Sequence, residues 1–271
     1  MKDTKKVSIR TAFKKIYGEA LAPLGFVFAK TKELCFIRVV NGELIHILGI
    51  QVKSRYHKLL PFGGIATLYR RDLCLDKTYR DISSWLPLAS QFWGGPGTGS
   101  DEVPEGHFDY DPYSPGSVSG ALQAALAEVQ RLILPELDPV RSLESYIPYY
   151  MKRFHVSYMD MPSLPLKDYG SGDYTDDFAI CYLLKDPLAY AEQITASSKA
   201  SMQEKIAAYA ESQVPDDLIY LKEWLDGKYK ALLASAHAFA EDPQVRRQAL
   251  DELERRKRAN LEKLRSYGAI S

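Results

Sequence analysis

The chain has 271 residues, 46% of them apolar and 26% charged, with 35 Lys plus Arg against 35 Asp plus Glu. A chain of that length buries on the order of 70% of its unfolded surface, so it needs no disulfide or metal to hold a core. This composition excludes a wholly disordered, collagen-like or polytopic membrane chain, and the zero net charge excludes a globally basic nucleic-acid coat.

Ser8 to Ala22 reads as a helix, because Ile9, Ala12, Phe13, Ile16, Tyr17, Ala20 and Leu21 form a stripe at helical spacing. Pro23 and Gly25 stop it. Next come two β-rich runs, Leu34 to Val40 and Glu43 to Val52, joined by Asn41-Gly42. Asn-Gly favours positive φ at both positions, so the spacing predicts a hairpin with a two-residue loop that pairs Val40 with Glu43 and Ile37 with His46. One face would then carry Cys35, Ile37, Val39, Leu44, His46 and Leu48, and the N-terminal helix is expected to pack there. His46 would be a hydrogen-bonded core residue. Phe62 to Tyr69 reads as a third strand, with Gly63-Gly64 marking a bulge or a close backbone approach. Leu73 to Leu75 extends the sheet, and Asp81 to Leu88 reads as a short helix.

Trp93 to Gly116 is a 24-residue loop with six glycines and four prolines. Loops that long are uncommon unless functional. Its aromatics Trp93, Phe108, Tyr110 and Tyr113 are expected for the most part to dock on the body, leaving a mobile tip over 94–105. Ser117 reads as the cap of a helix that Pro135 ends, and Leu143 to Phe154 as another helix. Beyond Met161 to Gly172 the chain reads helical, over about 176–184, 187–212, 215–240 and 243–267, with Pro187, Pro215 and Pro243 near the helix starts. His237 is expected to be partly buried in its Ala-rich helix. The fold class is therefore α+β: a helix on a small antiparallel sheet, followed by an all-helical half, with domains over 1–160 and 161–271.

Charge is unevenly placed. Residues 1–80 carry 16 basic and 6 acidic side chains, net +10, and residues 81–180 carry 5 and 15, net −10. Two such regions either neutralise each other or present patches of opposite sign to a partner. Cys35, Cys74 and Cys181 are widely spaced and odd in number, which argues for reduced, buried thiols and a cytoplasmic home. The first residues are basic with no apolar run behind them, so no signal peptide is expected, and no window is apolar enough to span a membrane.

The order of helix, Leu24-Gly25-Phe26 turn, hairpin closing in Ile50-Gln51, third strand, helix ending in Leu134-Pro135, and Ser142-Leu143-Glu144 resembles a bacterial family known only as a domain of unknown function (number forty-three-oh-four). The resemblance covers about residues 8–155. It implies a small α+β domain and brings no activity, cofactor or catalytic residue with it.

Candidate chemistry is thin. In an extended His107-Phe108-Asp109-Tyr110-Asp111, the side chains of His107, Asp109 and Asp111 project to one side. An imidazole with two carboxylates can hold a divalent metal, which would make a metal-dependent hydrolase. The competing reading is a polar loop with aromatic pegs, since metal sites usually draw on several rigid elements. Asp173, Asp176 and Asp177 read as helix-capping acids. Gly94 to Gly99 lacks the Gly-Lys-Ser/Thr of a phosphate loop.

Lys53, Arg55, His57 and Lys58, then Arg70, Arg71, Lys77 and Arg80, interleave with Tyr56, Tyr69 and Tyr79. That pattern would suit a single-stranded nucleic acid, or simply a charged sheet edge. The leading expectation is a non-enzymatic module that binds another protein, such as an immunity or regulatory protein. Arg55, Lys58, Arg70, Arg71, Trp93 and Tyr110 are its candidate contacts. Nucleic acid is the weaker partner class, and no motif asks for a cofactor.

Overall fold

The structure is a computed structural model that describes residues 6–70, 73, 85–87, 107–146, 149, 186–207, 209 and 215–270. The fold is α+β, with an N-terminal helix, an antiparallel sheet and a helical C-terminal half. The chain divides into two compact units. The first comprises residues 1–68, 72–142 and 257–271, and the second comprises 69–71 and 143–256.

In the first unit, α1 (Ile9–Leu21) is capped by Ser8, whose hydroxyl accepts from the Thr11 N–H, and it runs into a tight turn, Ala22–Leu24, closed by Gly25. The sheet follows as β1 (Val27–Phe28), β2 (Leu34–Val40), β3 (Leu44–Lys53), β4 (Lys58–Thr67), β5 (Trp85–Pro87) and β6 (Phe108–Asp109). Neighbours run β1-β2-β3-β4-β5, and β6 also pairs with β4.

Asn41 and Gly42 do take positive φ, 51° and 67°. The loop, however, is three residues long. The Glu43 N–H donates to the Val40 carbonyl at 3.1 Å, and Val40 pairs with Leu44, Ile37 with Ile47 and Arg38 with His46. The register expected from a two-residue loop is therefore wrong by one residue. A one-residue slip moves every β3 side chain to the other face.

The face assignment is corrected with it. Cys35, Ile37, Ile45 and Ile47 join Phe62 and Ala66 of β4 on one face, covered by Leu68, Leu73, Leu264 and Ala269. α1 lies on the other face. Phe13 of α1 sits 5.5 Å from Phe36 and 4.4 Å from Tyr17, ring centre to ring centre. Both faces are thus buried, which is why β2, β3 and β4 are nearly continuous apolar runs with little alternation to read.

Three other expectations are corrected. Trp85–Pro87, read within a short helix, is a strand paired to Phe62–Gly64. The cap of the helix after the loop is Ser114, not Ser117: α2 (Pro115–Glu128) begins with Pro in its first turn, and the Ser114 side chain accepts from the Ser117 N–H. Pro135 does not end that helix. The chain widens to π geometry over Val129–Ile133 and continues as α3 (Leu134–Leu137). A widened turn accommodates a residue that has no N–H to donate and whose ring crowds the preceding turn. The third strand begins at Lys58, four residues before the expected Phe62. Gly63 is a close approach within an unbroken register: a Cβ there would overlap Ile133 Cγ2 of the π segment.

The second unit holds helical residues 143–146, then α4 (Pro187–Ala207), α5 (Asp216–Glu241) and the start of α6 (Pro243–Ser266). α4 and α5 pack together, with Met202, Ala236 and Phe239 buried. From Lys257 onward α6 belongs to the first unit. There the buried Asn260 side chain accepts from the Leu73 N–H and donates to the Leu68 carbonyl. No helix among the described residues is long and apolar enough to cross a membrane.

Candidate functional site

Most of the sequence candidates that lie within the described residues gather at one end of the sheet, around the β3–β4 turn. Lys53 and Lys58 form the last strand pair, and residues 54–57 turn the chain with His57 at a positive φ of 50°. β6 comes alongside β4, placing Asp109 opposite Lys58 and Phe108 opposite Leu59. The Tyr110 N–H extends this ladder by one bond, to the His57 carbonyl at 3.0 Å.

Lys58 stands between the two polar side chains of β6. Its Nζ donates to His107 Nε2 at 2.6 Å and lies 3.8 Å from Asp109 Oδ1. His107 Nε2 is 3.6 Å from Asp109 Oδ2. The period-two argument thus places His107 and Asp109 on one side, and a cation does sit between them, but it is an ammonium. An ammonium has only protons to give, so in this contact His107 Nε2 is the acceptor.

Asp111 does not join them. Its Oδ1 accepts from the Tyr113 N–H at 2.9 Å, and its own N–H donates to Ser117 Oγ at 2.8 Å, so it shapes the turn into α2. The three proposed ligands do not converge, and no group of three His, Cys, Asp or Glu among the described residues is placed to hold a metal.

Tyr110 is a peg and not an exposed contact. It is buried, its ring lies 5.8 Å from the His57 ring, and its hydroxyl bonds the Ser54 side chain. Burial pushes its phenol up from the usual value, and the Ser54 bond pulls the other way. Tyr113 is half exposed, with Lys6 Nζ 6.0 Å from its ring centre, so the expected docking holds for Tyr110 and fails for Tyr113.

Arg55 and Tyr56 remain exposed at the turn, with the guanidinium 5.6 Å from the Tyr56 ring centre. Of the other basic candidates, Arg70 is buried, at 7% exposure, and is withdrawn as a surface contact. Arg71, Lys77, Arg80 and Trp93 lie outside the described residues, as do the loop tip over 94–105 and Asp173, Asp176 and Asp177.

A second polar group, which the sequence did not assemble, lies on the helix-covered face of the sheet. Arg38 Nη2 donates to His46 Nδ1 at 2.9 Å and to Asp138 Oδ1 at 2.6 Å, while Nη1 donates to the Leu24 carbonyl at 3.1 Å. His46 Nε2 donates to the Val140 carbonyl at 2.7 Å, which fixes its tautomer. Burial first, and then the Arg38 charge, lower the His46 pKa to about 4. His46 is therefore the hydrogen-bonded core residue expected, although on the opposite face. Both its nitrogens are committed to structure.

His237 corrects the expectation of partial burial. It is exposed on α5, with Nδ1 3.2 Å from Glu241 one turn on. No family model matches the chain, and no curated protein and no solved structure is found to be similar to it.

Proposed function

We propose that this protein is a non-enzymatic module that binds another protein, and that the β3–β4 turn is a point of contact. The observation that carries this reading is an exposed Arg55–Tyr56 pair on a turn whose base is fastened. Tyr110 is pegged under it, and Lys58, His107 and Asp109 close its side. Arg and Tyr dominate binding hot spots, and holding them in place before encounter lowers the ordering cost of association. The turn is basic, so the partner surface is acidic. An immunity or regulatory role fits such a module. Kinship with the family of unknown function belongs to the same proposal, supported by the order of α1, hairpin and third strand. So does a reducing cytoplasmic setting, supported by the buried Cys35, which is a thiol and not half of a disulfide.

The test is a photo-crosslinking residue placed at Tyr56 in cells, followed by titration of the captured protein against the purified full chain. Arg55→Ala and Tyr56→Ala are expected to weaken that binding at least tenfold, while Lys222→Ala, on α5, leaves it unchanged. If the same two variants instead abolish a steeply salt-dependent affinity for a single-stranded oligonucleotide, the nucleic-acid reading replaces this one. Stoichiometric metal lost with His107→Ala, accompanied by hydrolysis, would replace it with the hydrolase.

A further inference from the structure

α5 buries Ala236 and Phe239 along one side, with Leu218 and Leu233 half-buried. At 3.6 residues per turn, the opposite side carries Tyr220, Glu223, Trp224, Gly227, Lys230 and Ala234. All six are exposed, Tyr220 at 70% and Trp224 at 45%. An amphipathic surface helix normally turns charge outward and keeps its aromatics for the core. Here two large aromatics point outward at i, i+4 spacing. Tyr220, Gly227 and Ala234 are seven residues apart and so fall on one line along this side.

The chemistry of this side is self-complementary. Consider two copies of α5 laid antiparallel about a two-fold axis at Gly227. Residues equally far from the axis then lie level with each other, and like flanks of the two helices adjoin. Tyr220 meets the second copy's Ala234, whose small methyl leaves room for the phenol ring to lie against the helix. Lys230 arrives beside Glu223 of the second copy. Each contact occurs twice, as a closed two-fold interface requires. At the axis the two glycines face each other, and a Cβ on Gly227 would meet nothing within 4 Å, so the backbones have room for close approach. Ammonium against carboxylate is favourable, and the antiparallel arrangement brings Glu223 and Lys230 of the two copies to the same edge, whereas a parallel one puts them on opposite edges.

We propose that the exposed side of α5 is a self-association surface and that its occupant is α5 of a second copy, antiparallel. This goes beyond the binding function proposed above and does not depend on it. One helix pair covers less than the roughly 800 Å² per partner of a standard stable interface, so the dimer is weak, with a Kd on the order of tens of micromolar.

The test is sedimentation velocity of the full chain across a hundredfold concentration range. A concentration-dependent shift from monomer to dimer is expected. Glu223→Lys alone and Lys230→Glu alone should each weaken it at least tenfold, and the double charge swap should restore it. All three changes are on the surface, and circular dichroism verifies that the variants fold. Gly227→Cys, in a chain with Cys74 and Cys181 replaced by Ser, should form an intermolecular disulfide under mild oxidation. Gly120→Cys, at another open position, should not. A monomer at every concentration overturns the proposal. So does a dimer that ignores both charge reversals, since it would use another face, and so does a double swap that fails to rescue.

Discussion

Arg38 and His46 face each other across β2 and β3, and between them they show how a half-buried charge is held. The guanidinium is offered an imidazole nitrogen, a carboxylate and a carbonyl, and it lies 4.5 Å from the centre of the Phe26 ring. Removing one acceptor would leave a buried donor unpaired, which costs more than the bond itself contributes.

His46 makes the arrangement pH-dependent. Its pKa falls from 6.5 in the open chain to about 4 in the fold, so the fold holds the neutral form. The stabilisation is complete above pH 6.5, declines as pH falls towards 4, and is absent below that. A difference of this size corresponds to roughly 3 kcal/mol across the window. His46→Gln keeps one donor and one acceptor but cannot titrate. Urea unfolding at pH 7 and at pH 4 should show the wild type losing about that much more than the variant. Equal losses would show that His46 does not carry the acid sensitivity.

At the scale of elements, caps and turns decide where the chain changes direction. Ser114 is the clearest case: its side chain accepts from the Ser117 N–H at the start of α2 while its own N–H donates to the Asp111 carbonyl. Ser117 spends its hydroxyl on the Asp111 N–H. Replacing an N-cap serine costs about 1 kcal/mol. Ser114→Ala should therefore lower the unfolding free energy by about that amount, whereas Ser119→Ala, one turn further in, should change it by a few tenths in either direction.

The sequence carried the cap's neighbourhood but not its identity, because Ser114 and Ser117 are both serines three residues apart before an apolar stripe. The hairpin shows the same limit. Asn41 and Gly42 were legible as positive-φ residues, but the register was not, since with both faces buried no alternation marks which face β3 presents. In the site, His107 and Asp109 were legible as neighbours because two residues of strand bring side chains to one side. The cation between them was not, because Lys58 comes from 49 residues away by a pairing of β4 with β6 that only the fold creates.

At the scale of the whole chain, the least legible feature is the return of the C-terminus to the first unit's sheet. The run after Pro243 is nearly half charged, and its apolar positions at Val245, Ala249, Leu253, Leu261 and Leu264 do not say which surface they meet. Yet Leu264 and Ala269 are fully or almost fully buried in the core that holds Cys35, Ile37 and Ile47, with Leu261, Tyr267 and Ile270 packed around them. Backbone and side-chain bonds fasten the segment: the Lys30 N–H donates to the Tyr267 carbonyl at 2.7 Å, and Asn260 bridges Leu68 and Leu73. The segment from Lys257 onward thus completes a sheet face laid down roughly two hundred residues earlier, a long-range contact whose closure carries an entropic cost.

Leu264→Ala removes three buried carbons from that face and should cost about 2–5 kcal/mol, depending on how far the site relaxes. It should also open the cover over Cys35, which is buried and fully inaccessible in the folded chain. In a chain with Cys74 and Cys181 replaced by Ser, alkylation of Cys35 under native conditions reports opening of this one region. The rate should rise by at least tenfold in Leu264→Ala and stay at the parent value in Glu262→Ala, which alters an exposed position on the same turn. If the Leu264 variant were destabilised while Cys35 stayed as slow as before, the C-terminal segment would not be what shields that face of the sheet.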